Sequence, residues 1–197
     1  MAIVPTNAEL TSAARAVVRR VGIGALTLAA VAHEAGISRA TMYRRFASRE
    51  KLIAAMVGAE LDALEKMVSS RLRFADEPRE AIHMLVREVL DYNANNEALQ
   101  AALRIDGTSL LPWLIRSTDQ PTLVDIITDR ALAHIVDSPL AQHLAPTPQA
   151  AVEFMVSAIY ADLLCPARHM THAELAFYIT NAICSAEVSL PDDARNP

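Results

Sequence analysis

The sequence predicts an all-α protein with a three-helix head at its N-terminus and a larger helical domain after it. Apolar residues recur at helical spacing through most of the 197 residues. Glycine is scarce, with 5 residues, and no segment shows the alternating pattern of a half-buried strand. The composition, 52% hydrophobic and 21% charged, is that of a globular chain.

The first predicted helix begins after Thr6. Thr6 and Glu9 have the spacing of a capping box, in which hydroxyl and carboxylate each satisfy a free backbone amide. Apolar residues then recur every three or four positions up to Val21, and Gly22 is a suitable stop. A second helix is expected after Thr27, which is a good N-cap.

Gly36 separates the second helix from a third. Glycine adopts a positive φ without a Cβ clash, which allows a helix to end in a sharp turn. Ser38 then caps a third helix, in which Met42 and Phe46 are expected to face the core. The segment 27–46 is therefore predicted to be a helix-turn-helix.

The rest of the chain is also predicted to be helical. A segment with three prolines, 138–148, is the best loop candidate. In chain order, the further helices are expected at about 48–73, 76–93, 97–105, 108–117, 121–137, 149–164 and 171–188.

The sequence gives no sign of export or membrane insertion. No apolar run approaches the ~20 residues that a membrane span needs, and the N-terminus lacks the basic start and apolar stretch of a secretory signal. Cys165 and Cys184 are too few for a disulfide framework and are not spaced as C-x-x-C. We therefore expect a reduced, cytoplasmic chain.

Charge is distributed unevenly along the chain. Residues 1–52 contain eight basic and three acidic side chains, whereas the other 145 residues contain 10 and 20. A basic module on an acidic body is expected to meet a polyanion. Basic helical surfaces are often only solvated, but here the charge coincides with a glycine turn and its flanking caps. The combination favours contact with DNA.

In a helix-turn-helix the second helix enters the major groove near its N-terminus. Arg39 is long enough to read guanine or hold a phosphate, and Thr41 suits a phosphate or a thymine methyl. Tyr43 and Arg44 are suited to phosphate oxygens. The N-terminal end of the third helix is therefore the candidate recognition surface.

The segment TLAAVAHEAGISRATMYRRFASRE, residues 27–50, resembles the DNA-binding signature of the TetR (tetracycline-repressor-like) transcriptional regulators. The similarity extends back to Leu10 and forward to Leu52, about a quarter of the chain. Ala40 stands where the family often has glycine and Arg45 where it often has histidine, so the operator sequence stays open. The positions that the resemblance implies to face DNA are Thr27, Ser38, Arg39, Ala40, Thr41, Tyr43, Arg44, Arg45 and Arg49.

The resemblance also implies a domain plan. Residues 1–52 would form the DNA-binding domain, 53–190 a ligand-binding and dimerisation domain, and 191–197 a flexible tail. The last two helices, within about 149–188, would form a homodimer interface, although burial inside one chain explains their apolar residues too. Such a dimer suits a palindromic operator with half-sites one DNA turn apart.

A pocket for a small hydrophobic or amphipathic effector is implied among the middle helices. Ordinary core packing is an alternative for each candidate, since aromatic and methionine side chains at helical spacing usually pack. The candidate ligand-binding residues are Met84, Tyr92, Arg104, Trp113, Phe154 and Tyr160.

Catalytic and metal chemistry find no support in the sequence. His169 and His172 have a metal-like spacing, but Glu174 is the only further ligand nearby. There is no nucleophile elbow, P-loop or dinucleotide-binding glycine pattern. We expect no cofactor, no metal and no enzymatic activity.

The favoured function is that of a homodimeric transcriptional regulator of the TetR type, with repression as its mode. The alternative is an all-α enzyme or a ligand-sequestering protein with a vestigial head. Salt-dependent binding to duplex DNA separates the two, because a protein that neutralises phosphates loses affinity steeply as salt rises.

Overall fold

A computed structural model describes residues 5–72, 77–116 and 121–184, and all regular elements in these ranges are helices, which confirms the all-α class. Two short 3₁₀ turns occur at Gly107–Leu110 and Ala141–His143. The α-helices are α1 (Asn7–Val21), α2 (Leu28–Glu34), α3 (Arg39–Arg45), α4 (Arg49–Leu72), α5 (Pro78–Asn95), α6 (Glu97–Asp106), α7 (Leu111–Leu114), α8 (Leu123–Ile135), α9 (Pro148–Leu164) and α10 (His172–Ile183).

Helix boundaries differ from the predicted ones mainly where a side chain caps a helix. Asn96 follows α5 and caps α6, accepting a hydrogen bond from the Leu99 amide at 3.1 Å. Thr122, not Pro121, precedes α8, because its hydroxyl accepts from the Asp125 amide in a capping box. The predicted helical stretch 185–188 and the predicted tail 191–197 lie outside the described residues.

The described residues form two compact units. The first contains 5–67 and 93–112, and the second contains 68–72, 77–92, 113–116 and 121–184. The predicted domain bounds at 52 and 53 stay a prediction, and α4 runs unbroken through both positions.

In the first unit, α1 packs against both α2 and α6. Leu10, Leu26 and Met42 are fully buried, and Phe46 is 6% exposed, so the expected inward roles of Met42 and Phe46 are confirmed. Gly22 ends α1 with φ 78°, and a Cβ built on it would lie 2.7 Å from Ile105 Cγ2 of α6. The lack of a side chain at Gly22 therefore permits both the backbone turn that ends α1 and the close approach of α6.

In the second unit, α9 packs against α8 and α10. Most of the apolar residues that suggested a dimer interface are buried within the chain itself. They are Val152, Met155, Val156, Ile159, Ile179 and Ile183. The periodicity that suggested a contact with a second copy therefore comes chiefly from packing inside one chain. No helix in the described part of the chain is both long and apolar enough to span a membrane.

Candidate nucleic-acid interface

Local hydrogen bonds build the helix-turn-helix from α2 and α3. Thr27 Oγ1 accepts from the Ala30 amide at 3.1 Å, which starts α2. Gly36 has φ 65° after α2, in the left-handed region that glycine adopts most easily. Ser38 Oγ then accepts from the Thr41 amide at 3.1 Å and starts α3. The predicted cap, turn and cap are all present.

One face of α3 is buried and the other is open to solvent. Met42 points inward, while Arg39, Ala40 and Arg44 are exposed. Tyr43 is 57% exposed, an unusual amount for an aromatic side chain of a folded helix. The open face therefore presents guanidinium groups and a phenol together.

Polar side chains at the N-terminus of α3 contact one another. Ser38 Oγ and Thr41 Oγ1 are 2.9 Å apart, and Arg44 Nη2 donates to Thr41 Oγ1 at 3.4 Å. Successive contacts at a spacing of three residues run along one face of the helix. Ser38, Thr41 and Arg44 are thus brought onto a common face, with Ser38 and Thr41 at the N-terminal end of α3 and Arg44 in its last turn.

The arginines of the head fall into two groups. Those of α1 are ion-paired: Arg15 with Glu60 at 2.9 Å, Arg19 with Glu97 at 2.9 Å and Arg20 with Glu34 at 2.6 Å. Within the described ranges, the arginines of α3, Arg39, Arg44 and Arg45, form no ion pair. Three positive charges of the head without an ion-pair partner in the described ranges therefore lie on α3.

Arg45 and Arg49 contact backbone carbonyls. Arg45 Nη2 donates to the Pro5 carbonyl at 3.2 Å while the side chain remains exposed. Arg49, the first residue of α4, is half-buried, and its guanidinium is directed at the turn between α1 and α2. Arg49 thus differs from the other predicted DNA-facing residues in the direction of its side chain. The assignment of all nine residues to DNA stays a prediction.

The six candidate ligand-binding residues are spread over both units. Arg104 is exposed on α6 of the first unit, whereas the other five belong to the second. Phe154 is 50% exposed, and Tyr160 is half-buried. Desolvation by burial raises the pKa of Tyr160 to about 12. Because these two residues are six positions apart on α9, they point to different sides of that helix. A shared ligand pocket stays a prediction.

The histidines with metal-like spacing have different surroundings. His169 is exposed. His172 Nδ1 lies 2.6 Å from Asp91 Oδ1 and its Nε2 lies 3.6 Å from Asp162 Oδ2, a three-residue contact that the sequence did not reveal. In the described part of the chain, no group of three or more His, Cys, Asp or Glu side chains has an arrangement suited to a metal ion.

Comparison with known proteins agrees with this geometry. The family model for bacterial regulatory proteins of the tetR family matches residues 10–56, which span α1–α3 and the start of α4. No curated protein matches the sequence.

Solved structures share the fold over nearly the whole chain. RolR (NCGL1110) without ligand has a TM-score of 0.65 at 16% identity, covering 89% of both chains. The TetR family repressor AlkX from Dietzia sp. strain DQ12-45-1b has a TM-score of 0.65 at 19% identity, covering 88% of this chain and 93% of that one. RolR in complex with resorcinol has a TM-score of 0.57 at 18% identity, covering 90% of this chain and 86% of that one.

The match of the family model falls on the caps, the glycine turn and the open basic face of α3, and the shared fold extends beyond it into the second unit. Residues 10–56 therefore form a DNA-binding domain of the TetR family of bacterial regulatory proteins, and the chain shares its fold with TetR-family structures.

Proposed function

We propose that the protein is a cytoplasmic repressor that binds a palindromic operator through α3 and is released by a small hydrophobic or amphipathic ligand. One observation carries the proposed DNA-binding surface. The arginines of α3 have no ion-pair partner among the described residues, whereas those of α1 are neutralised by nearby carboxylates. Phosphates are the ligands that such a surface would attract.

The side chains of α3 are suited to different parts of the DNA, some to base edges and others to phosphates. Arg39, exposed in the first turn, has the planar fork that binds guanine O6 and N7 in the major groove. Tyr43 offers an exposed hydroxyl and Arg44 an exposed fork at the height of the phosphates. The full proposed DNA surface consists of Thr27, Ser38, Arg39, Ala40, Thr41, Tyr43, Arg44 and Arg45.

The test is to select bound fragments from the source genome and to measure affinity for the selected duplex by fluorescence anisotropy at several salt concentrations. Arg39→Ala is expected to weaken binding by about tenfold or more, because one base contact contributes about 1–3 kcal/mol. Tyr43→Phe should weaken it less, since the ring stays and one hydrogen bond is lost.

Lys66→Ala is the matched control, because Lys66 is an exposed cation on α4, away from the motif. Unchanged affinity for both α3 variants, with circular dichroism showing folded protein, would remove α3 from the interface. Weak binding that does not depend on salt would instead favour a ligand-sequestering protein with a vestigial head.

We also propose a homodimer through α9 and α10, in which exposed aromatic side chains form the interface. Phe154, Phe177 and Tyr178 are 50%, 55% and 61% exposed. The Phe177 and Tyr178 rings form an edge-to-face pair with centroids 5.9 Å apart. Exposed aromatic side chains of this kind are typical of buried interface cores.

Light scattering at micromolar concentration tests the dimer. The wild type is expected to have the mass of two chains, and Phe177→Glu combined with Tyr178→Glu the mass of one. Ile115→Glu is the control, since Ile115 is 62% exposed but lies just after α7 and not on α9 or α10. A monomeric wild type would contradict the proposed dimer and, with it, the palindromic operator.

The ligand class is supported by the relatives. RolR has been solved with resorcinol, and AlkX is implicated in the biodegradation of n-alkanes. Resorcinol and n-alkanes are both small molecules with little charge. A panel of phenols and alkanes is therefore the first to try, with thermal stabilisation as the sign of binding.

Each compound that raises the melting temperature is then added to the protein–DNA complex. Release of the DNA supports repression that is relieved by a ligand. Tighter DNA binding would replace release by co-repression, and stabilisation without any change in DNA affinity would support sequestration.

A further inference from the structure

We propose that Arg49 positions the helix-turn-helix by holding the backbone turn that precedes it, and does not bind a DNA phosphate. The inference rests on the proposed DNA-binding function of α3. It assigns to Arg49 a role in orienting α3, although the same residue is expected from the family resemblance to face DNA.

Three hydrogen bonds connect the Arg49 guanidinium to three backbone carbonyls of the turn between α1 and α2. Nε donates to Leu26 O at 2.9 Å, and Nη2 donates to Ile23 O at 2.5 Å and to Gly24 O at 3.4 Å. Leu26 is fully buried and Ile23 is 4% exposed. The turn is therefore anchored in the core by its side chains, and Arg49 binds its backbone carbonyls.

The position of Arg49 in the chain means that these hydrogen bonds join the two ends of the helix-turn-helix. Thr27, the N-cap of α2, directly follows Leu26, and α3 ends at Arg45, four residues before Arg49. The guanidinium thus links the start of α4, which follows the helix-turn-helix, to the backbone carbonyls just before α2. The segment 27–46 is closed at both ends, which limits rotation of α2 and α3 relative to α1 and α4.

A lysine at this position would not form the same arrangement. Arginine has five N–H donors in a rigid fork, so Nε and Nη2 reach different carbonyls at once. A lysine ammonium is a single point at the end of a flexible stem, which suits a phosphate but not a fixed set of carbonyls. The fork is half-buried and committed to the backbone, whereas Arg44 on α3 is exposed.

The experiment compares Arg49→Ala and Arg49→Lys with Arg44→Ala, a variant of a proposed phosphate ligand. Affinity for the selected duplex is measured across salt concentrations, at a temperature where circular dichroism shows every variant folded. Hydrogen exchange of the amides in segment 23–27 is followed in the same proteins.

A positioning role has a distinct signature. Arg49→Ala is expected to weaken affinity by about tenfold at every salt concentration while keeping the wild-type salt slope, since alignment is lost but no phosphate contact is removed. Arg44→Ala should reduce the slope by about 1. Arg49→Lys should not restore affinity, and exchange in 23–27 should be faster in both Arg49 variants.

Two results would overturn the proposal. A reduced salt slope in Arg49→Ala together with full affinity in Arg49→Lys would make Arg49 a phosphate ligand. A lower melting temperature with unchanged affinity would limit Arg49 to stabilising the fold. Failure of the wild type to bind duplex DNA in a salt-dependent way is a different outcome, which contradicts the proposed function itself.

Discussion

The arginines of α1 and of α3 look alike in the sequence and differ in the structure. Both helices are rich in arginine, but α1 lies between other helices of its unit and finds carboxylates on α2, α4 and α6. In α3 only one face packs, and the described chain offers no carboxylate to its arginines. The availability of charge, more than its amount, therefore marks a surface that meets an external anion.

Double variants of α3 and of α1 distinguish the two groups of arginines directly, and the α3 variant should lose the most affinity. Replacing Arg39 and Arg44 together by alanine should weaken operator binding by about a hundredfold, because a base contact and a phosphate contact are both lost. Replacing Arg19 and Arg20 together should change it by less than about threefold, because those charges are already paired.

Fluorescence anisotropy with the selected duplex measures both double variants at one salt concentration. Equal losses of affinity would mean that the net charge of the head, rather than its free arginines, drives binding. A larger loss from the α1 variant would reverse the assignment of the interface.

A second comparison contrasts the glycines that follow α1 and α2. Gly22→Ala should destabilise the fold by about 2–3 kcal/mol, because it combines a positive φ with a Cβ that would lie 2.7 Å from Ile105 Cγ2. Gly36→Ala should destabilise the fold by only about 1 kcal/mol. No atom lies within 4 Å of the added Cβ, so the only cost is the positive φ of the backbone.

Thermal or denaturant unfolding ranks the two glycine variants. Gly36→Asn serves as control, because asparagine tolerates the left-handed region better than alanine does. Greater damage from the Gly36 variant than from the Gly22 variant would show that α1 and α6 do not pack closely at this point.

The smallest expected effect concerns the ion pair between Arg20 and Glu34. Its hydrogen bond holds the pKa of the Glu34 carboxylate below the ordinary value of 4.5. The carboxylate therefore stabilises the folded state above that value, and this contribution is lost as pH falls through the lowered pKa.

Melting temperatures of the wild type and Glu34→Gln, measured between pH 7 and pH 3, test this prediction. The difference between the two proteins should be constant near neutral pH and should shrink as the pH falls below the ordinary value of 4.5. A difference that does not shrink on acidification would mean that the Glu34 carboxylate acts through something other than its charge.

Interactions within a few residues are the part of the fold that could be predicted. Thr6, Thr27 and Ser38 each accept a hydrogen bond from an amide three positions ahead, and Gly36 turns the chain between two helices. Such signals depend only on residues that are adjacent in sequence. The helix-turn-helix and its recognition end followed from them.

Contacts between distant residues could not be predicted in the same way. The glutamate that pairs with Arg15 is 45 positions away, and the one that pairs with Arg19 is 78 positions away. The carbonyls that hold Arg49 lie 23 to 26 positions before it. A side chain of sufficient reach has many acceptable partners in the sequence, and only the folded arrangement selects among them.

The apolar faces of α9 and α10 show the same limit for packing. Periodicity identifies which residues avoid water, because the hydrophobic effect has no direction of its own. Whether another helix of the chain or a second copy covers them depends on where the helices lie in space. Val152 and Ile183 are covered from within the chain, whereas Phe177 and Tyr178 are left exposed.

The helical class, the caps, the glycine turn and the basic head could be inferred from the sequence, because each depends on local backbone energetics or on composition. The fold selects which arginines form ion pairs, because pairing requires that two distant side chains meet. The three arginines of α1 met carboxylates, Arg49 met carbonyls, and those of α3 kept their charge available for an anion from outside.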